Sequence, residues 1–282
     1  MHYKKAIVTD IPEIKSLWEE TFGDAKGYIN RFITHFGIAT CYVCEVNHKI
    51  IAMAFALPTT LKSPSNFEGV SGEAGRGSLY KMQYIYACAT HPNYQRQGIM
   101  QNLLATIYDA ACRENIAGIF LHAADQNLAN YYRKLGFEDF FYRNHFWYYK
   151  DKLLATVPVP TNTIKFISPE TYQKKRVQKL ENNSFVNWNE DFFRFINEGE
   201  IQLCAYESAI FSYKTGFNNI IVDELLGDVS NEEIARLLIE HFPDIETVHI
   251  RLPGAETCCG QVKWCKHWEK QPEDGYFAFA ME

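Results

Sequence analysis

The sequence predicts a mixed α/β protein on a largely antiparallel sheet with one parallel strand pair, and the same order of elements returns in weaker form in the second half. Three observations predict it. Between Gln83 and Leu104 the apolar period changes from two to 3.6 across a short polar loop, so a strand runs through a turn into a helix. Two β-rich runs, 41–46 and 49–57, flank Asn47-His48 and read as an antiparallel hairpin. Residues 202–252 repeat the strand, strand, strand, helix, strand order read over 41–123.

Taken in order, Ile7 and Val8 suit a short first strand, and Asp10 with Glu13 reads as the capping box of a helix carrying Ile14, Leu17 and Trp18 inward and ending at Gly23. Tyr28, Ile29, Phe32, Ile33 and Phe36 form the apolar stripe of a second helix. The hairpin follows, its second strand expected to stop at Pro58. The Gly/Ser/Pro-rich stretch 59–78, with Glu68, Glu73 and Arg76, is longer than a hairpin needs and reads as a functional loop or a solvated excursion.

Tyr84, Ile85, Tyr86, Cys88 and Thr90 give the central strand, which Pro92 stops, and Met100, Leu103, Leu104, Ile107 and Ala111 give the following helix. Residues 118–123 are a buried strand parallel to the central one, completing a right-handed βαβ unit, and 140–150 read as one or two closing strands. A polar loop with Gly98 at its end, leading into a helix, directs backbone N–H groups and a helix dipole at one point, a setting for phosphate or pyrophosphate. Two prolines in 156–162 mark a linker, dividing the chain into 1–152 and 156–282.

The run Gln95-Arg96-Gln97-Gly98-Ile99-Met100 resembles the acyl-CoA pyrophosphate loop Gln/Arg-x-x-Gly-x-Gly/Ala of the GNAT (GCN5-related N-acetyltransferase) superfamily, departing from it at Met100. Downstream, Asp125 to Phe137, ending Tyr132-Arg-Lys-Leu-Gly-Phe137, resembles the closing helix of that family. The resemblance covers residues 1 to about 150 and implies a two-domain bacterial type, with a GNAT domain followed by a degenerate GNAT-like half.

The resemblance implies that the two parallel strands splay apart to admit the pantetheine arm of acetyl-CoA. Backbone groups of Cys88, Ala89 and Thr90 then bond it, one of their N–H groups serves as the oxyanion contact, and Gln95, Arg96, Gln97, Gly98, Ile99 and Met100 hold the pyrophosphate. Tyr132 matches the tyrosine that protonates the departing thiolate. The helices after the first strand wall the acceptor pocket. Related two-domain enzymes use the terminal carboxylate as general base, which here is Glu282; Glu73, His122 and Asp125 are the other candidates, and His91 is a weaker one.

The implied activity is that of an N-acetyltransferase moving an acetyl group from acetyl-CoA to an amine of unidentified acceptor by direct attack. The alternatives are a non-catalytic acyl-CoA-binding regulatory or scaffold protein and a transferase using charged tRNA. The second copy has Leu226-Gly-Asp228-Val-Ser-Asn231 where the first has its phosphate loop, and carboxylates there repel pyrophosphate.

The chain has 282 residues, 47% hydrophobic and 22% charged, and is expected to be globular. A net charge of −6 argues against general affinity for nucleic acid or anionic membrane and leaves homo-oligomerisation open. The first residues lack the apolar core of a signal peptide, so a cytoplasmic location is expected. Eight scattered cysteines suit reduced thiols better than a disulfide framework. Cys41 and Cys44 point to opposite strand faces, and Cys258, Cys259, Cys265 and His267 lack the paired spacing of common zinc sites, so no metal is expected.

Overall fold

The computed structural model describes residues 1–64, 78–265 and 271–281. Its elements begin with β1 (His2–Lys5), α1 (Ile11–Phe22), α2 (Lys26–Phe36), β2 (Cys41–Val46), β3 (Lys49–Lys62), β4 (Leu79–Thr90), α3 (Ile99–Arg113), β5 (Gly118–Leu121), α4 (Gln126–Lys134) and β6 (Glu138–Tyr149). They continue with α5 (Lys150–Thr156), β7 (Lys165–Phe166), α6 (Pro169–Lys179), β8 (Phe185–Val186), α7 (Glu190–Asn197), β9 (Gln202–Tyr206), β10 (Ala209–Thr215), β11 (Asn219–Leu226), α8 (Asn231–His241), β12 (Thr247–Pro253) and β13 (Thr257–Trp264). Among the described residues no helix is long and apolar enough to cross a membrane, and no group of three metal-ligating side chains occurs.

Two compact units form, each from separated stretches. The first takes Met1–Leu61, Leu79–Phe140 and Gly260–Gln271; the second takes Lys62–Ser78, Phe141–Cys259 and Pro272–Glu282. This differs from a single cut at 152–156, because β13 finds its partner in β5, antiparallel from Gln261↔Leu121 to Trp264↔Gly118. A Cβ at Gly118 would stand 2.8 Å from the Lys263 carbonyl, so glycine is what allows this approach.

In the first unit the strand order is β1-β2-β3-β4-β5-β13, with β1–β2, β2–β3 and β5–β13 antiparallel and β4–β5 parallel. Asn47 and His48 both have positive φ, as a two-residue hairpin turn requires. Alternation along β3 sends Ala52, Ala54 and Ala56 toward Leu103, Leu104 and Ile107 of α3, and small side chains there let the helix lie close. Phe55, on the other face, meets Trp18 and Phe32 of α1 and α2 at centroid distances of 5.3 and 5.1 Å.

Several expectations change. The first strand is His2–Lys5 rather than Ile7-Val8, which are exposed; the Asp10 carboxylate accepts from Ile7 N at 3.0 Å and turns the chain there. The Asp10–Glu13 capping box does not form, since Glu13 accepts from Ile50 N at 2.7 Å. β3 continues through an exposed Pro58 to Lys62. Cys112 and Cys265 are joined in a disulfide, Cα atoms 5.5 Å apart, correcting the expectation of reduced thiols throughout. Their separation of 153 residues leaves no local spacing signal.

In the second unit the order is β7-β9-β10-β11-β12-β6, with β11–β12 parallel, so the order of elements read over 41–123 does recur. One face packs on α8, through Ile234 and Leu238 against Val222, Val248 and Ile250. Elsewhere in the unit Arg176 of α6 and Glu224 of β11 form a fully buried ion pair at 2.9 Å, joined by Tyr172 Oη donating to Glu224 at 3.0 Å. The tail through 276–280 is buried but is not the strand expected. Phe279 and Met281 have positive φ, and Trp188 Nε1 donates to the Ala278 carbonyl at 3.0 Å.

Candidate functional site

The parallel pair β4–β5 carries four paired positions, Met82↔Gly118 to Ile85↔Leu121, and then ends while β4 runs on to Thr90. The backbone of Tyr86 to Thr90 therefore has no β5 partner. Ala87 has φ +50°, a left-handed conformation that costs an alanine about 1–2 kcal/mol. Its effect is to reverse the facing of Cys88. In an unbroken strand residues 86 and 88 share a face. Here Tyr86 packs on Trp18 and Phe32, whereas Cys88 packs on the α3 side against the cluster that holds Tyr132.

Tyr132, on the inner face of α4, is buried beside the Cys88 thiol. Burial, and then the neighbouring Cys88 and Tyr131, hold the phenol well above its ordinary range, so it stays protonated at neutral pH. The same desolvation pushes the Cys88 thiol up to about 12, against a smaller opposing effect of the hydrogen bond from Tyr132. Cys88 thus gauges what a thiolate meets there: desolvation makes the anion a stronger base than it is in water. Tyr131 is half-buried and also near Cys88, so it does not face away as its helix position suggests.

The loop after β4 is braced by its own side chains. His91 Nδ1 accepts from Asn93 N, Gln95 Nε2 donates to the Thr90 carbonyl at 3.1 Å, and Gln97 Nε2 donates to the Asn93 carbonyl at 3.3 Å. Arg96 and Gly98 both have positive φ, and Gly98 stands at the N-cap of α3 with no capping side chain and no acid in the first turn. A Cβ at Gly98 would meet nothing within 4 Å. Ile99 is buried in the core, and Met100 packs its side chain against the same cluster.

The equivalent corner of the second unit is chemically opposite. There Ser230 caps α8, accepting from Glu233 N at 3.1 Å, and Glu232 and Glu233 fill the first turn. Those amides and that dipole end are already answered.

Of the base candidates, Glu73 and Glu282 lie outside the described residues. Asp125 is the N-cap of α4, accepting from Leu128 N at 2.8 Å, which gives its carboxylate a structural task. His122 is half-buried at the end of β5, and His91 lies 3.9 Å from Glu20. Sequence reasoning missed the support from β13: Lys263 Nζ donates to the Leu135 carbonyl at the end of α4 at 2.8 Å, and Gln261 Nε2 donates to the Ala129 carbonyl at 3.2 Å. These contacts come from residues over 120 positions away, beyond any local pattern.

Residues 2–140 match the family model of the acetyltransferase (GNAT) domain. No curated protein matches the chain by sequence. Among solved structures, it resembles a protein of Enterococcus faecalis V583 described as a probable N-acyltransferase, with 13% identity over 94% of this chain and 73% of that one and a TM-score of 0.71. It also resembles GCN5-related N-acetyltransferases of Anabaena variabilis ATCC 29413 (13%, 94% and 73%, 0.70) and Kribbella flavida (14%, 93% and 69%, 0.68). At such identities the likeness is one of fold, and it extends through both units. Through the domain at residues 2–140, the chain belongs to the GNAT superfamily of acyltransferases.

Proposed function

We propose that the chain is an N-acetyltransferase that binds acetyl-CoA at the first unit and passes the acetyl group directly to an amine. The observation that carries this reading is the convergence at one end of β4: a strand edge left unpaired beyond Ile85, an uncapped α3 N-terminus led by Gly98, and the Tyr132 hydroxyl beside the Cys88 thiol. Backbone groups of Cys88, Ala89 and Thr90 bond the pantetheine arm. The turn from Gln95 to Met100 takes the pyrophosphate on its amides. The amine nitrogen attacks the thioester carbon, a backbone N–H of the Cys88–Thr90 segment stabilises the oxyanion, and Tyr132 gives its proton to the sulfur as the C–S bond breaks.

The base role read for Glu282 or Glu73 belongs to the same proposal. The second unit carries no CoA site on this reading, since Ser230, Glu232 and Glu233 occupy its helix start. The test is calorimetric titration of the full chain with acetyl-CoA, followed by a panel of amines assayed by thiol release. One CoA site with amine-dependent thiol release supports the proposal. Binding with no release for any amine supports the scaffold alternative, and no binding removes both.

A further inference from the structure

β13 braces α4 on both sides of Tyr132. Gln261 and Lys263, two apart, share one face of the strand. Gln261 Nε2 donates to the Ala129 carbonyl at 3.2 Å, a turn before Tyr132, and to Asp139 Oδ1 at 2.9 Å, while Asp139 pairs with Arg133 of α4 at 2.7 Å. Lys263 Nζ donates to the Leu135 carbonyl at 2.8 Å, where α4 ends. All of these residues belong to the first unit, and the register of β13 on β5 sets how far along α4 the two side chains reach.

Just past them the strand is fastened beside the last turn of α3. Cys265 N donates to the Ala117 carbonyl at 2.8 Å, Tyr108 Oη donates to the Trp264 carbonyl at 2.9 Å, and the Lys263 ammonium lies 4.4 Å from the centre of the Tyr108 ring. Cys112, one helical turn after Tyr108, carries the covalent tie to Cys265. Cys265 is fully buried and Cys112 half-buried, so an incoming thiolate meets the bond at Cys112. The phosphate loop stands at the other end of α3, a helix of 15 residues and about 22 Å.

We propose that the Cys112–Cys265 bond is a redox latch on the brace. Joined, it holds β13 where Gln261 and Lys263 place α4 and Tyr132; opened, it lets the brace loosen, and turnover falls. Gln261 and Lys263 are then positioning residues that act through Tyr132, a role that rests on the transferase reading. Opening is thiol–disulfide exchange with a dithiol. One thiolate of the dithiol attacks Cys112 Sγ and expels the Cys265 thiolate; the second displaces Cys112, and the reagent leaves as a cyclic disulfide. Two electrons pass to the protein, and the two protons given up by the reagent finish on the cysteines. A small disulfide such as oxidised glutathione reverses the step, taking two electrons and leaving as two thiols. The pairing of β13 with β5 and the Tyr108 hydrogen bond persist in the open form, so the loosening is local.

The test compares the full chain treated with oxidised glutathione, the same chain reduced with dithiothreitol, and Cys112→Ser, which cannot close. Peptide mapping is expected to find 112 joined to 265 in the oxidised chain alone. On reduction, hydrogen exchange is expected to rise about threefold or more in α4 and in 260–265, with the phosphate loop and the second unit unchanged. Calorimetry gives one acetyl-CoA affinity for all three forms. With an amine that the panel above identifies, chromatography of the acetylated product shows kcat lower by about 3- to 30-fold in the reduced chain and in Cys112→Ser, at an unchanged KM for acetyl-CoA. Lys263→Met lowers kcat in the oxidised chain, and the further loss on reduction is smaller than in the parent, because part of the brace is already gone.

Oxidation that fails to join 112 and 265, or equal exchange of α4 in the two forms, overturns the latch. So does exchange that rises throughout the first unit with loss of acetyl-CoA binding, the mark of a staple for the whole fold, and so does a loosened α4 with unchanged kcat. A chain that loosens α4 on reduction and acetylates no amine in either form keeps the latch on α4 and removes the transferase reading, so the two failures are distinguishable.

Discussion

Replacing Gly98 separates backbone strain from ligand contact. Gly98 has φ +75°, and an added Cβ meets no protein atom within 4 Å, so Ala there loses stability through the left-handed backbone, about 1–2 kcal/mol, and the β-branched Val somewhat more. Gly23, the C-cap of α1 at φ +71° with equally open surroundings, supplies the control: Gly23→Ala carries the same strain away from the loop. If the space beside Gly98 belongs to the pyrophosphate, Gly98→Val weakens CoA binding by at least about tenfold, or 1.4 kcal/mol, and Gly98→Ala by less. Gly23→Ala leaves it unchanged. Thermal melting reads the strain and calorimetry reads the affinity. A Gly98→Val protein that folds and binds CoA like the parent refutes the phosphate-loop assignment.

Four further outcomes are expected. Tyr132→Phe keeps CoA affinity and lowers turnover by roughly 10²-fold; a loss of affinity without loss of rate contradicts the proton-donor role. Arg176→Met strands the buried Glu224 charge and destabilises the second unit by about 3–5 kcal/mol in denaturant titration. The phenols of Tyr28, Tyr86 and Tyr132 hold their protons above the ordinary 10.0, so above that pH the unfolded chain binds fewer protons and stability falls; a stability rising between pH 10 and 11 contradicts these environments. Residues added after Glu282 lower turnover with CoA binding intact if the terminal carboxylate is the base, and full activity of the extended chain excludes that role.

Much of this molecule was legible locally because its signals are local. The run 202–226 reads as strands because apolar and β-branched stretches are bounded by turn residues, and all three strands fall where that reading places them. The strand, loop and helix around Gly98 were readable because a change of period and a glycine N-cap are written in adjacent residues. β13 was not, since its partner β5 lies about 140 positions earlier and its own run Thr-Cys-Cys-Gly-Gln-Val-Lys-Trp is only weakly patterned. Asp125 illustrates a different limit: a carboxylate at a helix start serves a cap or a proton transfer equally well in sequence, and only the hydrogen bond from Leu128 N decides. The facing of Cys88 depended on the left-handed Ala87, and alanine gives no warning of such a backbone.

The return of β13 to β5 also sets a timetable for the nascent chain. When the ribosome has made Leu121, the edge of β5 that will receive Gln261 to Trp264 is bare, and it stays so until some 140 more residues emerge, roughly 7–30 s at ordinary elongation rates. A bare, fully buried-type strand of Gly-Ile-Phe-Leu is a sticky edge for that interval. The first half cannot finish folding while the second is still being translated, even though all its helices are already made. Slowed elongation beyond residue 121, or truncation before residue 260, is therefore expected to send the chain to chaperones or aggregates rather than to a working smaller enzyme.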